Sequence, residues 1–333
     1  MKHIRIVLLL SLSLLWGCKP GRIQSGPAVR IAVGGQTQLV YLPLTLTERL
    51  GHFRDEGLEV TIEDFQGGAK ALEALVGGSV DVVSGFYDHT IQMAAEGKPM
   101  QAFVSMLRYP GLVIAVSPAT KRRIGGLRDL DGAVVGVSAP GSSTHLLVLH
   151  LLSKHGVSAE KAGIVGIGMA AGSVAAMERG TVDAAVMAEP AISQLETRAG
   201  KLKLLADLRM PEGVKEVYGV ESYPASVLYA PEAWIEKNQL LAQRLARAVR
   251  RTLDWIGKHS GEEIARAMPE SFAGGDKAMY AKVIEQSRPM YSTDGRISAE
   301  GAAVVAEVMS RLMPKIGAAK VDAGRTYRND LVE

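Results

Sequence analysis

One motif occurs twice in this chain of 333 residues, about a hundred positions apart. Ala71-Leu72-Glu73-Ala74-Leu75 leads into Gly77-Gly78-Ser79-Val80-Asp81-Val82. Val174-Ala175-Ala176-Met177-Glu178 leads into Arg179-Gly180-Thr181-Val182-Asp183-Ala184. Each copy reads as a helix that stops at glycine and is followed by a strand. The register extends beyond the motif: Asp81 and Asp183 lie 102 positions apart, and Val33 and Val137 lie 104 apart. A repeat kept in register over that length predicts two similar units. In the first unit, strands are expected at Val29–Val33, Leu58–Ile62, Val80–Ser84 and Gln101–Met106, with helices at Leu39–Leu50, Lys70–Val76 and Ile91–Ala95. In the second, strands are expected at Ala133–Val137, Ile164–Ile167 and Val182–Met187, with helices at Ser142–His155 and Val174–Arg179. Short apolar runs alternating with helical patterns predict an α/β protein with largely parallel strands.

Two connecting segments also match. Tyr109-Pro110-Gly111 precedes the apolar run Leu112–Val116, and Tyr223-Pro224-Ala225 precedes Ser226–Ala230. They read as two crossovers, by which the chain leaves the first lobe and later returns to it. The expected organisation is a first part of lobe 1 at 29–110, lobe 2 at 111–222, and a helical second part of lobe 1 at 223–333. A two-segment hinge of this kind lets lobes rotate together over a ligand. Pro231 suits the first turn of a long helix reaching Lys258. Ser260 with Glu263 forms a capping box, and Ser298 caps a helix running to Met313. On the long helix, Arg244, Arg247, Arg250 and Arg251 oppose an apolar face of Leu240, Leu241, Leu245, Val249, Leu253 and Ile256, which reads as a solvated basic face.

The single cysteine, Cys18, ends a leader. Lys2, His3 and Arg5 precede an apolar run, Ile6–Trp16, shorter than the roughly 20 residues a membrane-spanning helix needs. A basic start, a short apolar centre and Gly17-Cys18 predict an export signal over residues 1–18. Leu15-Trp16-Gly17-Cys18 resembles a bacterial lipobox, which implies lipidation of Cys18 and a lipid-anchored, exported lipoprotein. Ordinary signal cleavage is the alternative. Residues 19–28 read as a flexible tether. Cleavage before Cys18 removes Lys2 and Arg5, so that 36 of the 38 basic residues face 35 acidic ones in a nearly neutral mature chain.

That balance predicts no nucleic-acid partner. With no further cysteine, thiol nucleophiles, iron–sulfur clusters and thiolate zinc sites are excluded from the mature chain. Gly34-Gly35 lacks the third glycine of a dinucleotide fingerprint, and no Gly-Lys-Ser/Thr phosphate loop occurs. No Gly-x-Ser-x-Gly elbow frames a serine, so no catalytic set is assigned. Asp88, His89, His145 and Glu189 lack metal-ligand spacing, and neither a metal nor a cofactor is expected. In open α/β sheets, ligands bind beyond the carboxyl ends of strands, where helix N-termini converge. Four strand-to-helix loops qualify: Gly34–Gln38, Gly85–His89, Ser138–His145 and Ala188–Pro190. The third exposes helix N–H groups and hydroxyls suited to a small anion, with ordinary helix capping as the bland alternative. Tyr41, Phe86, Tyr87, Tyr109 and Tyr223 are candidate pocket walls or, equally, core and hinge packing.

Leu50-Gly51-His52-Phe53-Arg54-Asp55-Glu56-Gly57-Leu58-Glu59-Val60, Gly78-Ser79-Val80-Asp81-Val82, Leu127-Arg128-Asp129-Leu130-Asp131-Gly132, Gly180–Ala185, Glu189-Pro190 and Tyr327–Val332 occur in an order that resembles a known family. It is the substrate-binding proteins of ABC importers in the nitrate/sulfonate/taurine group, which also holds thiamine-precursor binders. The resemblance implies a type II periplasmic-binding-protein fold, with two similar α/β lobes closing over a small-molecule ligand. It implies delivery to a membrane permease with its ATPase, and a monomer with no catalytic role. It maps ligand contacts onto Gln36, Thr37 and Gln38, onto Gly85, Phe86, Tyr87 and Asp88, onto Gly141, Ser142, Ser143 and Thr144, and onto Glu189; Tyr41 joins them as a wall. No arginine or lysine stands in these loops. Amides and hydroxyls could hold a sulfonate, taurine or nitrate-like anion, whereas ionised Asp88 and Glu189 would favour a pyrimidine-like heterocycle. The alternatives are a ligand-sensing lipoprotein of the same fold, or a pyrimidine-precursor-forming enzyme; relatives of the latter kind carry cysteine-rich segments that this chain lacks.

Overall fold

Among the described residues, ten short strands form two five-stranded sheets of matching design. The structure, a computed structural model, describes residues 26–65 and 67–332; the expected signal, Cys18 and the tether up to residue 25 lie outside the described residues. In the first sheet, β1 (Ala28–Val33), β2 (Glu59–Asp64), β3 (Val82–Phe86) and β4 (Met100–Ser105) are joined by α1 (Leu42–Arg49), α2 (His52–Asp55), α3 (Gly68–Val76) and α4 (Asp88–Ala95). The second contains β5 (Leu112–Val116), β6 (Val134–Val137), β7 (Gly163–Gly166), β8 (Ala184–Ala188) and β9 (Leu204–Asp207). Its helices are α5 (Ser143–Lys154), α6 (Ala171–Arg179), α7 (Ala191–Ala199) and α8 (Pro211–Tyr218). β10 (Ser226–Pro231) returns to the first sheet. It is followed by α9 (Glu232–Lys237), α10 (Gln239–Lys258), α11 (Gly261–Ala267), α12 (Lys277–Ser287), α13 (Ala299–Leu312) and α14 (Pro314–Ala319).

The strand orders are β2-β1-β3-β10-β4 and β7-β6-β8-β5-β9. The fourth strand in each sheet is the one that arrives from the other lobe. It runs antiparallel to both its neighbours, β10 to β3 and β4, and β5 to β8 and β9. The other four strands of each sheet share one direction, so the strands are largely parallel, as expected, with the crossing strand as the exception in each sheet. A chain crossing between lobes enters each sheet at the end where the parallel strands finish, so it must run the opposite way. β3, β5 and β8 are buried at every residue, as expected of strands covered on both faces.

The repeated aspartate has one job in both lobes. Asp81 Oδ2 accepts the backbone N–H of Arg30 at 2.9 Å, and Asp183 Oδ2 accepts that of Val134 at 2.9 Å. Each carboxylate satisfies a donor on the neighbouring first strand, so the ladder proper begins one residue later or more. That is why β3 starts at Val82 and β8 at Ala184, both later than the apolar run suggests.

Other boundaries move for local reasons. The strand expected from Val29 begins at Ala28, inside the expected tether. The helix expected over Leu39–Leu50 opens as a 3-10 turn, Leu39–Tyr41, before α1, where Pro43 occupies an early position that needs no N–H. The long helix from Pro231 is two helices: α9 stops at Asn238, whose Nδ2 donates to the Trp234 carbonyl at 2.8 Å. Ser260 and Ser298 cap α11 and α13 as expected. On α10, Leu245, Val249, Leu253 and Ile256 are buried, while Leu240 is 58% exposed. Arg247 and Arg251 bond Glu56 and Asp55 at 2.8 and 2.7 Å, tying α10 to α2.

Candidate functional site

The carboxyl ends of the parallel strands of both sheets face one another, and the four expected loops meet there. In the first, Asp64 Oδ1 accepts the N–H groups of Gly35 and Gln36 at 2.8 and 2.9 Å and closes the turn after β1. Gln36 Nε2 donates to Thr45 Oγ1 of α1, and Gln38 Nε2 donates to half-buried Thr37. Gln38 is buried with its Oε1 unpartnered. Tyr41 packs edge-on against Phe86, ring centres 6.4 Å apart.

In the second loop, Gly85 leaves room for its neighbours: a Cβ there would stand 2.9 Å from Val83 Cγ1 and 3.0 Å from the Tyr229 ring, so a side chain would push them aside. Phe86 and Asp88 reach the other lobe. Tyr87 does not, because its hydroxyl bonds Thr326 and its ring lies edge-on to Tyr327. It anchors the C-terminal segment instead. In the third loop, Gly141 sits at φ +82°, which suits glycine, and gives its N–H to His145 Nδ1 at 3.0 Å. Thr144 Oγ1 turns inward onto the N–H and hydroxyl of Ser138. Ser142 and Ser143 face outward, across the interlobe boundary.

Among the described residues, three hydrogen bonds join these loops across that boundary, apart from the crossover contact of Ser222 with the Arg108 carbonyl. Ser143 Oγ donates to Asp88 Oδ1 at 2.7 Å. The Ala69 N–H donates to Ser142 Oγ at 2.9 Å, and the Leu39 N–H to the Glu189 carbonyl at 2.8 Å. Between the lobes lie two small cavities of about 20 Å³ each, with room for about one water apiece. Phe86, Asp88, Ser143, Tyr218 and Tyr223 line one; Gly34, Tyr41, Gly68, Ser142 and Met169 line the other. A larger solute requires the lobes to part.

Four participants escaped the sequence reading: Gly68, Ala69, Tyr218 and Arg209. Gly68 and Ala69 open α3 after β2, a loop without hydroxyls or charge. Tyr218 stacks on Tyr223, ring centres 3.9 Å apart, and His150 stacks on Tyr218. Arg209, just past the carboxyl end of β9, bonds Glu189 Oε1 at 3.0 Å and grips Asp207 with Nε and Nη2 at 2.9 and 2.6 Å. Arg209 is the cation that the four loops lacked, and it pairs with one of the two cleft carboxylates. β9 is a four-residue, half-buried strand, and its short run hid the loop that follows.

Burial decides the electrostatics. It raises Glu189 above its ordinary pKa, partly offset by the Ser193 N–H and Arg209. It raises Asp88 too, against the opposing pull of His89 and the Ser143 hydroxyl, and it lowers His89, leaving a neutral imidazole. Folded Asp88 therefore holds its proton more tightly than the unfolded chain does. Stability falls as pH rises from the ordinary aspartate value of about 3.9 through the raised folded one, and the loss persists at neutral pH. Asp88→Asn keeps an acceptor for Ser143 and removes the buried charge. Calorimetry should find it melting above the wild type at pH 7, the gap closing as pH falls toward 4. A variant that melts below the wild type at pH 7 refutes this reading.

Among the described residues, no helix is long and apolar enough to cross a membrane, and no cluster of three or more His, Cys, Asp or Glu is placed to hold a metal ion. The family described as NMT1/THI5 like matches residues 38–263, which hold all of the loops except Gly34, Gly35, Gln36 and Thr37. Among curated proteins, the chain is similar to the binding protein YtlA of Bacillus subtilis (strain 168), 22% identical over 76% of this chain and 74% of that one. It is also similar to a 4-amino-5-hydroxymethyl-2-methylpyrimidine phosphate synthase of Aspergillus parasiticus, 24% identical over 65% and 63%. A solved structure from Bordetella bronchiseptica RB50 is 42% identical, covers 92% of this chain and 95% of its own, and superposes with a TM-score of 0.88. The alkanesulfonate-binding protein SsuA from Xanthomonas axonopodis pv. citri, solved with MOPS, is 17% identical over 91% and 98%, with a TM-score of 0.70. The two-lobed periplasmic-binding-protein fold expected from the resemblance is the fold found.

Proposed function

Because the chain belongs to the NMT1/THI5-like family, we propose that it is the solute-binding component of an ABC-type importer, capturing a small organic molecule between its lobes. One observation carries this reading: Ser142 and Ser143 of one lobe bond Ala69 and Asp88 of the other at the carboxyl ends of both sheets. A solute entering there meets donors and acceptors from both lobes, and its binding energy drives closure through the two crossovers. The lobes span 29–110 with 223–333, and 111–222. Tyr41, Phe86, Asp88, Ser142 and Ser143 contact the solute, while Gln36, Thr37, Gln38, Gly85, Tyr87, Gly141, Thr144 and Glu189 shape the loops that present them. Partners are a permease and its ATPase, met by the closed form as a monomer. Export and a lipid anchor on Cys18 follow from the leader.

Glu189 is paired with Arg209, which it shares with Asp207, and both a sulfonate-like anion and a pyrimidine-like heterocycle fit the donors of the cleft. The similarity to a pyrimidine phosphate synthase favours the heterocycle among these, and makes catalysis the second reading. Isothermal titration with taurine, methanesulfonate, nitrate and 4-amino-5-hydroxymethyl-2-methylpyrimidine, beside native mass spectrometry of protein purified without denaturation, tests the proposal. Expected is micromolar or tighter binding of one probe, or a retained small-molecule mass, with no chemical change on prolonged incubation. Turnover of a probe assigns an enzyme; failure of all four to bind, with no retained mass, removes the solute-binding role.

A further inference from the structure

His89, fully buried in the first turn of α4, has a ring nitrogen that no atom of the described residues answers. Its Nδ1 lies 3.0 Å from the Tyr229 hydroxyl, while its Nε2 has no partner among the described residues. Tyr229 decides the tautomer. Tyr229 is buried, and among the described residues its hydroxyl finds its one partner in His89. Were Nδ1–H the donor, the phenolic proton would be left without an acceptor. With the phenol donating to Nδ1, that proton is satisfied and the ring proton sits on Nε2 as an unpaired donor.

The free edge of the ring lies behind the cleft wall. Gly68, which lines the interlobe cavity with Gly34, Tyr41 and Ser142, carries no side chain there. A Cβ on Gly68 would stand 3.1 Å from His89 Cε1, 3.9 Å from Nε2 and 3.9 Å from Ser142 Oγ. The space that separates the imidazole edge from a serine of the opposite lobe is thus the space one methyl group would fill. A buried N–H without an acceptor is rare and costly in folded proteins, and this one lies where two lobes meet around a solute.

We propose that His89 is a specificity-determining residue, its Nε2–H donating to an acceptor oxygen or unprotonated ring nitrogen of the solute, with Tyr229 as the positioning residue that holds the donor tautomer. The inference rests on the solute-binding reading above. It selects sulfonates, carbonyls and neutral azines, and it disfavours ammonium groups at that point of the cleft.

The test uses the mature chain labelled with ¹⁵N-histidine, and methanesulfonate and 4-amino-5-hydroxymethyl-2-methylpyrimidine as probes. Long-range ¹⁵N–¹H spectra of the free protein should show the Nε2–H tautomer at His89, and Tyr229→Phe should convert part of the population to Nδ1–H. Saturation with a bound probe should move the Nε2 resonance. His89→Gln, which retains an N–H donor, should stay within about tenfold of wild-type affinity, while His89→Leu should lose more than thirtyfold. Gly68→Ala, whose backbone suits alanine, should weaken binding at least tenfold by shielding the ring edge, and it covers the case in which His89→Leu fails to fold. An Nδ1–H tautomer in the free protein overturns the proposal whether or not a probe binds. So does an Nε2 resonance indifferent to a bound probe, which identifies a structural water as its partner, or unchanged affinity in both His89→Leu and Gly68→Ala. Wild-type protein that binds neither probe removes the solute contact together with the reading beneath it, and is told apart by failing before any variant is compared.

Discussion

Replacing Arg209 by methionine should lower stability at pH 7 by about 2 kcal/mol, below the roughly 3–5 kcal/mol of a fully buried pair because water reaches the arginine. The Glu189 side chain is 8% exposed and that of Arg209 30%. Removing the cation leaves the carboxylate in place with the N–H and hydroxyl of Ser193 to answer it. Asp207 loses its fork as well, but it is more exposed and finds water. The glutamate then responds as a buried acid. Burial already raises its pKa, and losing Arg209 raises it further. The folded variant therefore binds its proton more tightly than the unfolded chain. Its deficit is complete above the raised folded value and shrinks as pH falls toward the ordinary glutamate value of about 4.3. Adding Glu189→Gln should restore most of the loss at pH 7, since an amide still accepts from Ser193 and needs no counter-charge. Thermal melts of the two single variants and the double variant across pH 4–8 measure this cycle. Arg209→Met melting with the wild type at pH 7 would show that the pair contributes nothing net.

The second large effect belongs to the interlobe serines. Ser142→Ala with Ser143→Ala should weaken binding of whichever probe the wild type takes by about 50-fold, while the melting temperature falls by only a few degrees. Each hydroxyl makes one bond across the boundary, and an intramolecular hydrogen bond is worth about 1 kcal/mol, more when a buried carboxylate loses its donor. Two such losses on the closed state amount to about 2–3 kcal/mol, and 1.4 kcal/mol is tenfold in affinity. Their partners differ, Ala69 for Ser142 and Asp88 for Ser143, so the single variants should be nearly additive. The loop keeps its shape because Thr144 and Ser138 close it independently. Unchanged titration by the double variant removes these serines from closure.

How far the site was readable depended on the range of its bonds. Ser142 and Ser143 stand out because a hydroxyl pair before a helical run is a local pattern, and Asp88 because a carboxylate follows a strand end. Tyr87 belonged to the same loop by the same criterion, yet its hydroxyl found Thr326, 239 residues away. Gly68 carries no chemistry of its own. It matters through the space it leaves between His89 and Ser142. Glu189 looked like a free charge because Arg209, 20 residues on, follows a strand too short to announce itself.

The sequence by itself determined the paired α/β units, the repeated aspartate that starts both sheets and the caps of α11 and α13. Those are set by periodicity and by bonds to near neighbours, or by one signal recurring in register. Only the tertiary structure decided that the crossing strands run antiparallel, that Arg209 pairs with Glu189, and that Ser143 meets Asp88. These contacts join backbone positions brought together by the packing of separate elements, and no local pattern encodes which distant partner a buried donor or charge will find.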